Sequence, residues 1–204
     1  MKSYWDVPVI VSDLGSPNAD ELKHMGAAMA SFGSTAMFQF VGITREAPTL
    51  DAAFDGIPPR SEPIARTDIS EFYKDYRPKS DDLDVVVFAA PQLSIFEMTR
   101  LSSLLSGRKV HANTAMLVAT APAIKAMCDR DGITATLEES GAIVLEGVCF
   151  YQMHARELGK ANGWRTLMTN SAKLVNIIGG YGYDPALATM TACVNSAVAG
   201  RILP

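Results

Sequence analysis

From Val7 onward, short apolar runs of strand length alternate with helical segments, and Gly- or Pro-containing turns mark the changes. Alternation of this kind argues for an α/β protein with mainly parallel sheets, because each helix must return the chain to start the next strand in the same direction. The first unit reads as a strand Val7 to Ser12, the turn Gly15-Ser16-Pro17-Asn18, a helix Ala19 to Phe32 stopped by Gly33, and a strand Thr35 to Ile43. Leu22, Met25, Met29 and Phe32 recur at helical spacing and lay one apolar stripe against a sheet. Two strands joined by such a helix form a βαβ crossover.

Between Ala47 and Pro63 the apolar period fails while prolines accumulate, so the segment reads as a surface excursion, closed by a short helix around Asp68 to Tyr76. The polar stretch Arg77 to Asp82 is a hinge, which divides the chain into lobes 1–80 and 81–204. The second lobe opens on a buried strand Asp84 to Ala89, the turn Ala90-Pro91-Gln92 and a helix Ser94 to Ser106, a pattern resembling the opening unit. Strands at Thr114 to Ala119, Ala142 to Phe150 and Arg165 to Thr169 follow. Helices at Ala123 to Asp131, Leu137 to Ser140, His154 to Ala161, Ser171 to Ile177 and Pro185 to Ala199 complete the set.

At 204 residues, 48% of them hydrophobic and 20% charged, the chain can bury a core. Eighteen Lys and Arg against twenty-two Asp and Glu leave a net charge of −4, with no basic stripe for a nucleic-acid backbone. Pro8 and Asp13 interrupt the apolar run near the start, which is too short for a secretion signal or a membrane span. These features point to a cytoplasmic protein without nucleic-acid or membrane partners. Cys128, Cys149 and Cys193 form no C-x-x-C pair and are odd in number, so a disulfide framework is not indicated; each can equally serve as a small core residue.

Ligands of open parallel sheets bind beyond the carboxyl ends of strands. That rule selects Gly15 to Asn18, Ala90-Pro91-Gln92-Leu93-Ser94, Thr120-Ala121-Pro122 and Thr169-Asn170-Ser171-Ala172-Lys173, with Cys149 at a fifth strand end. The last turn crowds two hydroxyls, an amide and an ammonium, a set suited to an anion. An alternative reading has Thr169 or Asn170 capping the next helix and Lys173 solvated. The Gly179 to Gly182 run follows a helix and lacks dinucleotide-fingerprint spacing, no G-x-S-x-G elbow is present, and His24, His111 and His154 have no metal-ligand spacing. Glu138-Glu139 and Asp81-Asp82 read as solvated surface.

Taken in order, several segments resemble the large subunit of the aconitase X family. They are Pro17-Asn18-Ala19-Asp20-Glu21-Leu22 with Gly26, the stretch Phe40 to Thr49, Ala90 to Ser94, Leu104 to Val110, the strand ending in Cys149, and Thr169 to Lys173. The resemblance implies two small Rossmann-like lobes with mainly parallel sheets flanked by helices, as in the aconitase superfamily. It also implies a cytoplasmic iron–sulfur hydro-lyase acting on a small hydroxy acid such as cis-3-hydroxy-L-proline, or on mevalonate 5-phosphate in an archaeal branch; the sequence favours the first. In that chemistry iron polarises the departing hydroxyl while a protein base takes the α-proton. The implied cofactor is an iron–sulfur cluster or iron, with Cys149 the foremost ligand and Cys193 a second, while Cys128 is structural. Ser171 and Lys173 are the implied catalytic residues; Pro91, Gln92, Ser94, Thr169 and Asn170 are the implied substrate contacts.

Three departures from the family pattern bear on this reading. The chain matches the C-terminal half of a family large subunit, so the N-terminal half, expected to supply another cysteine, and the small swivelling subunit are partners it would need. Leu174 to Gly180 replaces the aromatic and His residues usual after Ser-Ala-Lys, and Thr120-Ala121 replaces a more hydroxyl-rich pair. An uncovered apolar face and a homo- or hetero-oligomer are expected. The alternative to part of a hydro-lyase is a non-catalytic small-molecule-binding or assembly module that keeps the fold. A generic Rossmann-like binder would require the ordered matches to be coincidence.

Overall fold

The computed structural model describes residues 5–203. The chain forms two compact units that divide between Ser70 and Glu71, ten residues ahead of the lobe boundary read from the sequence at 80/81. Residues after Ser70 are held by the second unit: Leu187 N donates to the Tyr76 carbonyl at 3.0 Å and Ile202 N to the Asp81 carbonyl at 2.7 Å.

In the first unit, β1 (Val9–Ile10) and β2 (Gln39–Phe40) pair in parallel, Val9 opposite Gln39, with α1 (Ala19–Gly33) between them in sequence. The expected βαβ crossover is present, but its strands are much shorter than Val7 to Ser12 and Thr35 to Ile43. Asn18 starts α1 by accepting from Asp20 N and Glu21 N, while Glu21 Oε2 accepts from Asn18 N, a reciprocal cap that satisfies otherwise orphaned donors. With so small a sheet beneath it, α1 has no fully buried residue: Leu22, Met25 and Met29 are half-buried and Phe32 is exposed. Residues 47–65 carry only one 3₁₀ turn, Asp51–Ala53, and Ile57 and Ile64 stand exposed there. α2 (Arg66–Asp75) crosses the division.

The second unit holds five parallel strands: β3 (Val85–Leu93), β4 (Ala115–Thr120), β5 (Ile143–Glu146), β6 (Thr166–Thr169) and β7 (Asp184–Leu187). Their order across the sheet is β5-β4-β3-β6-β7. The chain therefore winds outward from β3 in one direction, then returns to wind outward in the other, the doubly wound arrangement whose reversal lies between β3 and β6. Successive β3 side chains face opposite layers. Val86 and Phe88 enter a core with Met98, Leu101 and Leu105 of α3 (Ile95–Leu105), Cys128 of α4 (Pro122–Arg130), Leu137 of α5 (Ile133–Glu139), and Cys193 and Val194 of α8 (Met190–Ala199). Val85, Val87 and Ala89 enter the other core with Phe150, Ala155 of α6 (Ala155–Asn162), and Leu174 and Ile178 of α7 (Ala172–Ile178).

Two sequence readings are corrected. The span Pro185 to Ala199 is not one helix: Asp184–Leu187 pairs with β6 as β7, and α8 starts only after Thr189 caps it at Ala192 N. Pro185 fits a strand here because β7 is an edge, where a missing N–H need not break a ladder. The turn at Ala90-Pro91-Gln92 is instead a continuation of β3, irregular between Phe88 and Leu93, with a cis Ala90–Pro91 peptide. Among the described residues no helix is long and apolar enough to cross a membrane.

Leu101→Ala removes a fully buried side chain from the larger core and is expected to cost about 2–5 kcal/mol in urea unfolding of the second unit. Phe32→Ala, on the exposed side of α1, should cost less than about 1 kcal/mol.

Candidate active site

β6 matches β3 only at Val85 and Val86; beyond that point the two strands share no register, while β3 runs on to Leu93. A crevice at the carboxyl ends of β3 and β6 is the place where a doubly wound sheet receives ligands. Its two walls are the segments picked from the sequence, Ala90 to Ser94 and Thr169 to Lys173. A hydrogen bond ties them together: Ser171 Oγ donates to the Ala90 carbonyl at 2.6 Å. Ala90 holds a left-handed conformation, φ +54°, uncommon for a residue with a β-carbon.

Ser171 is fully buried, and its oxygen also accepts from Leu174 N at 3.1 Å, capping α7. A hydroxyl whose proton goes to one carbonyl and whose lone pair goes to a helix N–H braces the turn, and that is the arrangement Ser171 has here. Thr169 is likewise buried, with Oγ1 accepting from Ser171 N at 3.2 Å. Asn170 and Lys173 are the partly exposed polar members of the turn. On the other wall Pro91 is half-buried, Gln92 Nε2 donates to the Val148 carbonyl at 2.9 Å, and Ser94 caps α3 by accepting from Glu97 N at 3.2 Å. Thr120, at the end of β4, donates Oγ1–H to the Leu93 carbonyl at 2.7 Å.

Cys149 does not end a long strand. β5 stops at Glu146, and Cys149 precedes a 3₁₀ turn, Phe150–Gln152, that lies against the smaller core. There the structure brings together residues the sequence placed far apart. Lys173 Nζ stands 5.9 Å from the centroid of the Tyr151 ring, and burial, then the neighbouring Cys149 thiol, push the Tyr151 phenol above its ordinary value. Tyr151 in turn meets Tyr181, ring centroids 6.4 Å apart, and Arg156 lies over Tyr181 at 5.9 Å. Tyr151, Tyr181 and Arg156 escaped the sequence reading because no motif marks them. The only signal was two residues of spacing between Tyr151 and Cys149.

The three cysteines are free, and the sheet separates Cys149 from the other two. Cys149 packs beside the smaller core and is partly exposed, whereas Cys193 is wholly buried in the larger core on the opposite face, its thiol directed at the Ala188 carbonyl at 3.8 Å. Burial raises the Cys193 thiol far above its usual range, so it stays protonated. Cys193 is thus neither accessible nor on the same side of the sheet as Cys149. Cys128 is also buried and its thiol raised, first by burial and then by Asp129 and Asp131, in keeping with its structural assignment. Among the described residues no group of three or more His, Cys, Asp or Glu side chains is placed to hold a metal ion.

Comparison with known proteins bears on the same two units. Residues 83–199 match the aconitase X third domain and residues 2–74 the aconitase X second domain. The chain belongs to the aconitase X family. Cis-3-hydroxy-L-proline dehydratase of Pseudomonas aeruginosa is 32% identical over 188 residues, which is 91% of this chain and 32% of that enzyme. The enzyme of the same description from Hypocrea jecorina is 32% identical over 209 residues, 95% of this chain and 33% of its own length. The phosphomevalonate dehydratase large subunit of Methanocaldococcus jannaschii is 30% identical over 158 residues, 78% of this chain and 37% of that subunit. This aconitase X chain thus spans about a third of the length of these relatives. Its fold is shared with the crystal structure of Thermococcus kodakaraensis aconitase X in its holo form, TM-score 0.76 at 22% identity, over 94% of this chain and 47% of that one.

Two outcomes follow from the geometry. In the native protein a thiol reagent should titrate Cys149 and leave Cys128 and Cys193 unreacted until denaturant is added. Ser171→Ala, which removes a cap and orphans the Ala90 carbonyl, should lower unfolding stability by about 1–3 kcal/mol in a denaturant titration.

Proposed function

We propose that this aconitase X chain is part of an iron–sulfur hydro-lyase that dehydrates a small hydroxy acid such as cis-3-hydroxy-L-proline. The observation that carries the reading is the meeting of Cys149 and Lys173 around Tyr151 in a chain whose relatives are named dehydratases. Dehydration of a hydroxy acid asks a site to hold the carboxylate, to exclude water and to stabilise charge as a proton and a hydroxyl leave neighbouring carbons. Lys173 would bind the carboxylate, with its ammonium steadied over the Tyr151 ring, and the Asn170 amide would give it a second donor. Pro91 and Gln92, on the facing wall, would bound the substrate, and the bond from Ser171 to Ala90 would keep both walls in register. Ser94 and Thr169 would act from beneath, through the α3 cap and the turn into α7.

Taken alone, the chain does not fit an iron–sulfur cluster. Such clusters are held by several thiolates, and Cys149 is the one cysteine here that is partly exposed. It would therefore contribute a single ligand, with the others coming from residues beyond this sequence. Relatives named as large subunits suggest a smaller partner chain, and exposed Ile57, Ile64 and Phe96 offer apolar surface for such contacts. One ammonium from this chain suits a monocarboxylate better than a substrate that also carries phosphate, which favours the hydroxyproline class. Three unpaired cysteines suit the reducing cytoplasm.

Anaerobic reconstitution with iron and sulfide, with and without the partner chains, tests this. Iron uptake and visible absorption should require partners and disappear in Cys149→Ser. Lys173→Met should lower kcat/KM for cis-3-hydroxy-L-proline by about 10- to 100-fold, the range for a hydrogen bond to a charged group. If no combination of chains takes up iron, the proposal fails and the chain is a non-catalytic binding or assembly module, a reading that its single accessible thiol also favours.

A further inference from the structure

A cavity of about 360 Å³ opens between α6 and the segments that lead into β6 and β7. It lies at the amino-terminal ends of those strands, away from Thr169 and Asn170, and none of the residues assigned a role above in holding substrate or iron lines it. Its charge is one-sided. Arg156 and Lys160, one turn apart on α6, line it together with Arg165, and no carboxylate does. Among the described residues the Lys160 and Arg165 side chains make no hydrogen bond or ion pair. Asp82, Asp84 and Asp184 lie in a neighbouring depression that Arg165 also borders, and Asp84 Oδ2 accepts from Arg165 N at 2.7 Å, but none of the three is ion-paired with the Arg165 side chain.

Arg156 is held in place instead of being free to swing away. Its Nη2 donates to the Gly180 carbonyl at 2.8 Å and its guanidinium covers the Tyr181 ring, which leaves most of its five N–H groups for a ligand. The remaining walls are aromatic: Tyr181, Tyr183 and Trp164. Tyr183 is fixed by donating to the Ala155 carbonyl at 2.8 Å, and it packs so closely over Gly159 that a β-carbon there would stand 2.9 Å from the phenolic oxygen.

We infer that this cavity binds a small organic phosphate that carries a planar ring. Three cations that line one cavity with no carboxylate among its walls repel one another, and a bound dianion turns that repulsion into attraction. Guanidinium groups meet phosphate oxygens through paired N–H donors, lysine meets them as a point charge, and aromatic side chains accept a ring face or edge. The volume is that of a small-molecule pocket. The inference uses neither Cys149 nor Lys173, although Tyr181 and Arg156 adjoin the Tyr151 ring over which Lys173 lies.

Trp5 and Trp164 are the tryptophans of the chain, so Trp5→Phe leaves Trp164 as an intrinsic reporter in the cavity wall. Phenyl phosphate titrated into this otherwise intact chain should change Trp164 emission saturably, with a Kd on the order of 1 mM or tighter for a ligand of that size. Lys160→Ala and Arg165→Ala should each weaken binding at least about fivefold, Lys160→Arg and Lys173→Ala should not, and inorganic phosphate should bind at least about fivefold more weakly than phenyl phosphate. Circular dichroism and thermal melting establish that the exposed-site variants are folded. No saturable change up to roughly 20 mM, unchanged affinity in both alanine variants, or inorganic phosphate binding as tightly as phenyl phosphate would each overturn the inference.

Discussion

β3 is paired along both of its edges and buried on both of its faces, and the second unit is organised around that constraint. A backbone so enclosed can satisfy its N–H and C=O groups only in ladders, and a parallel ladder requires crossovers that travel over the faces. The helices that supply those crossovers are the ones that bury Val86 and Phe88 on one side and Val85 and Val87 on the other. The winding reverses at β3, and its departure from β6 after Val86 is what opens the crevice. Core and candidate site are thus two results of one strand's environment.

At the crevice, polar groups divide into those that hold and those that face outward. Ser171, Thr169, Ser94 and Gln92 spend hydrogen-bonding capacity on the backbone, which fixes the wall positions. Lys173 and Asn170 are left with exposure, and Cys149 is left with a partly exposed sulfur beside Tyr151. The sheet itself decides which thiols can act together, since Cys193 and Cys149 pack on its opposite faces.

Much of this was legible in the sequence because apolar runs and turn residues report local structure directly. Asp84 to Ala89, Thr114 to Ala119 and Arg165 to Thr169 read as strands since nothing but a two-sided core suits them, and Asn18 and Ser94 announce helix starts through their paired Glu21 and Glu97. Pro185 misled because proline also opens helices, and only the position of β7 at the sheet edge makes it a strand residue. The burial of Cys193 was not legible for a different reason: residue type says what a thiol can do, whereas its exposure is a property of the whole fold. The bond from Ser171 to Ala90 was not legible, since the two residues are eighty-one positions apart in the chain. Tyr151, Tyr181 and Arg156 come together only through tertiary packing, which no local spacing encodes.

Where β3 and β6 part company, the partly exposed residues Pro91, Gln92, Asn170 and Lys173 stand outside both cores. Residues there can be exchanged, lengthened or shortened while the five-strand lattice beneath keeps its packing. A scaffold of this kind separates the inheritance of shape from the inheritance of chemistry. Relatives named for hydroxyproline and for phosphomevalonate can then retain one sheet and differ in the few side chains that overlook it.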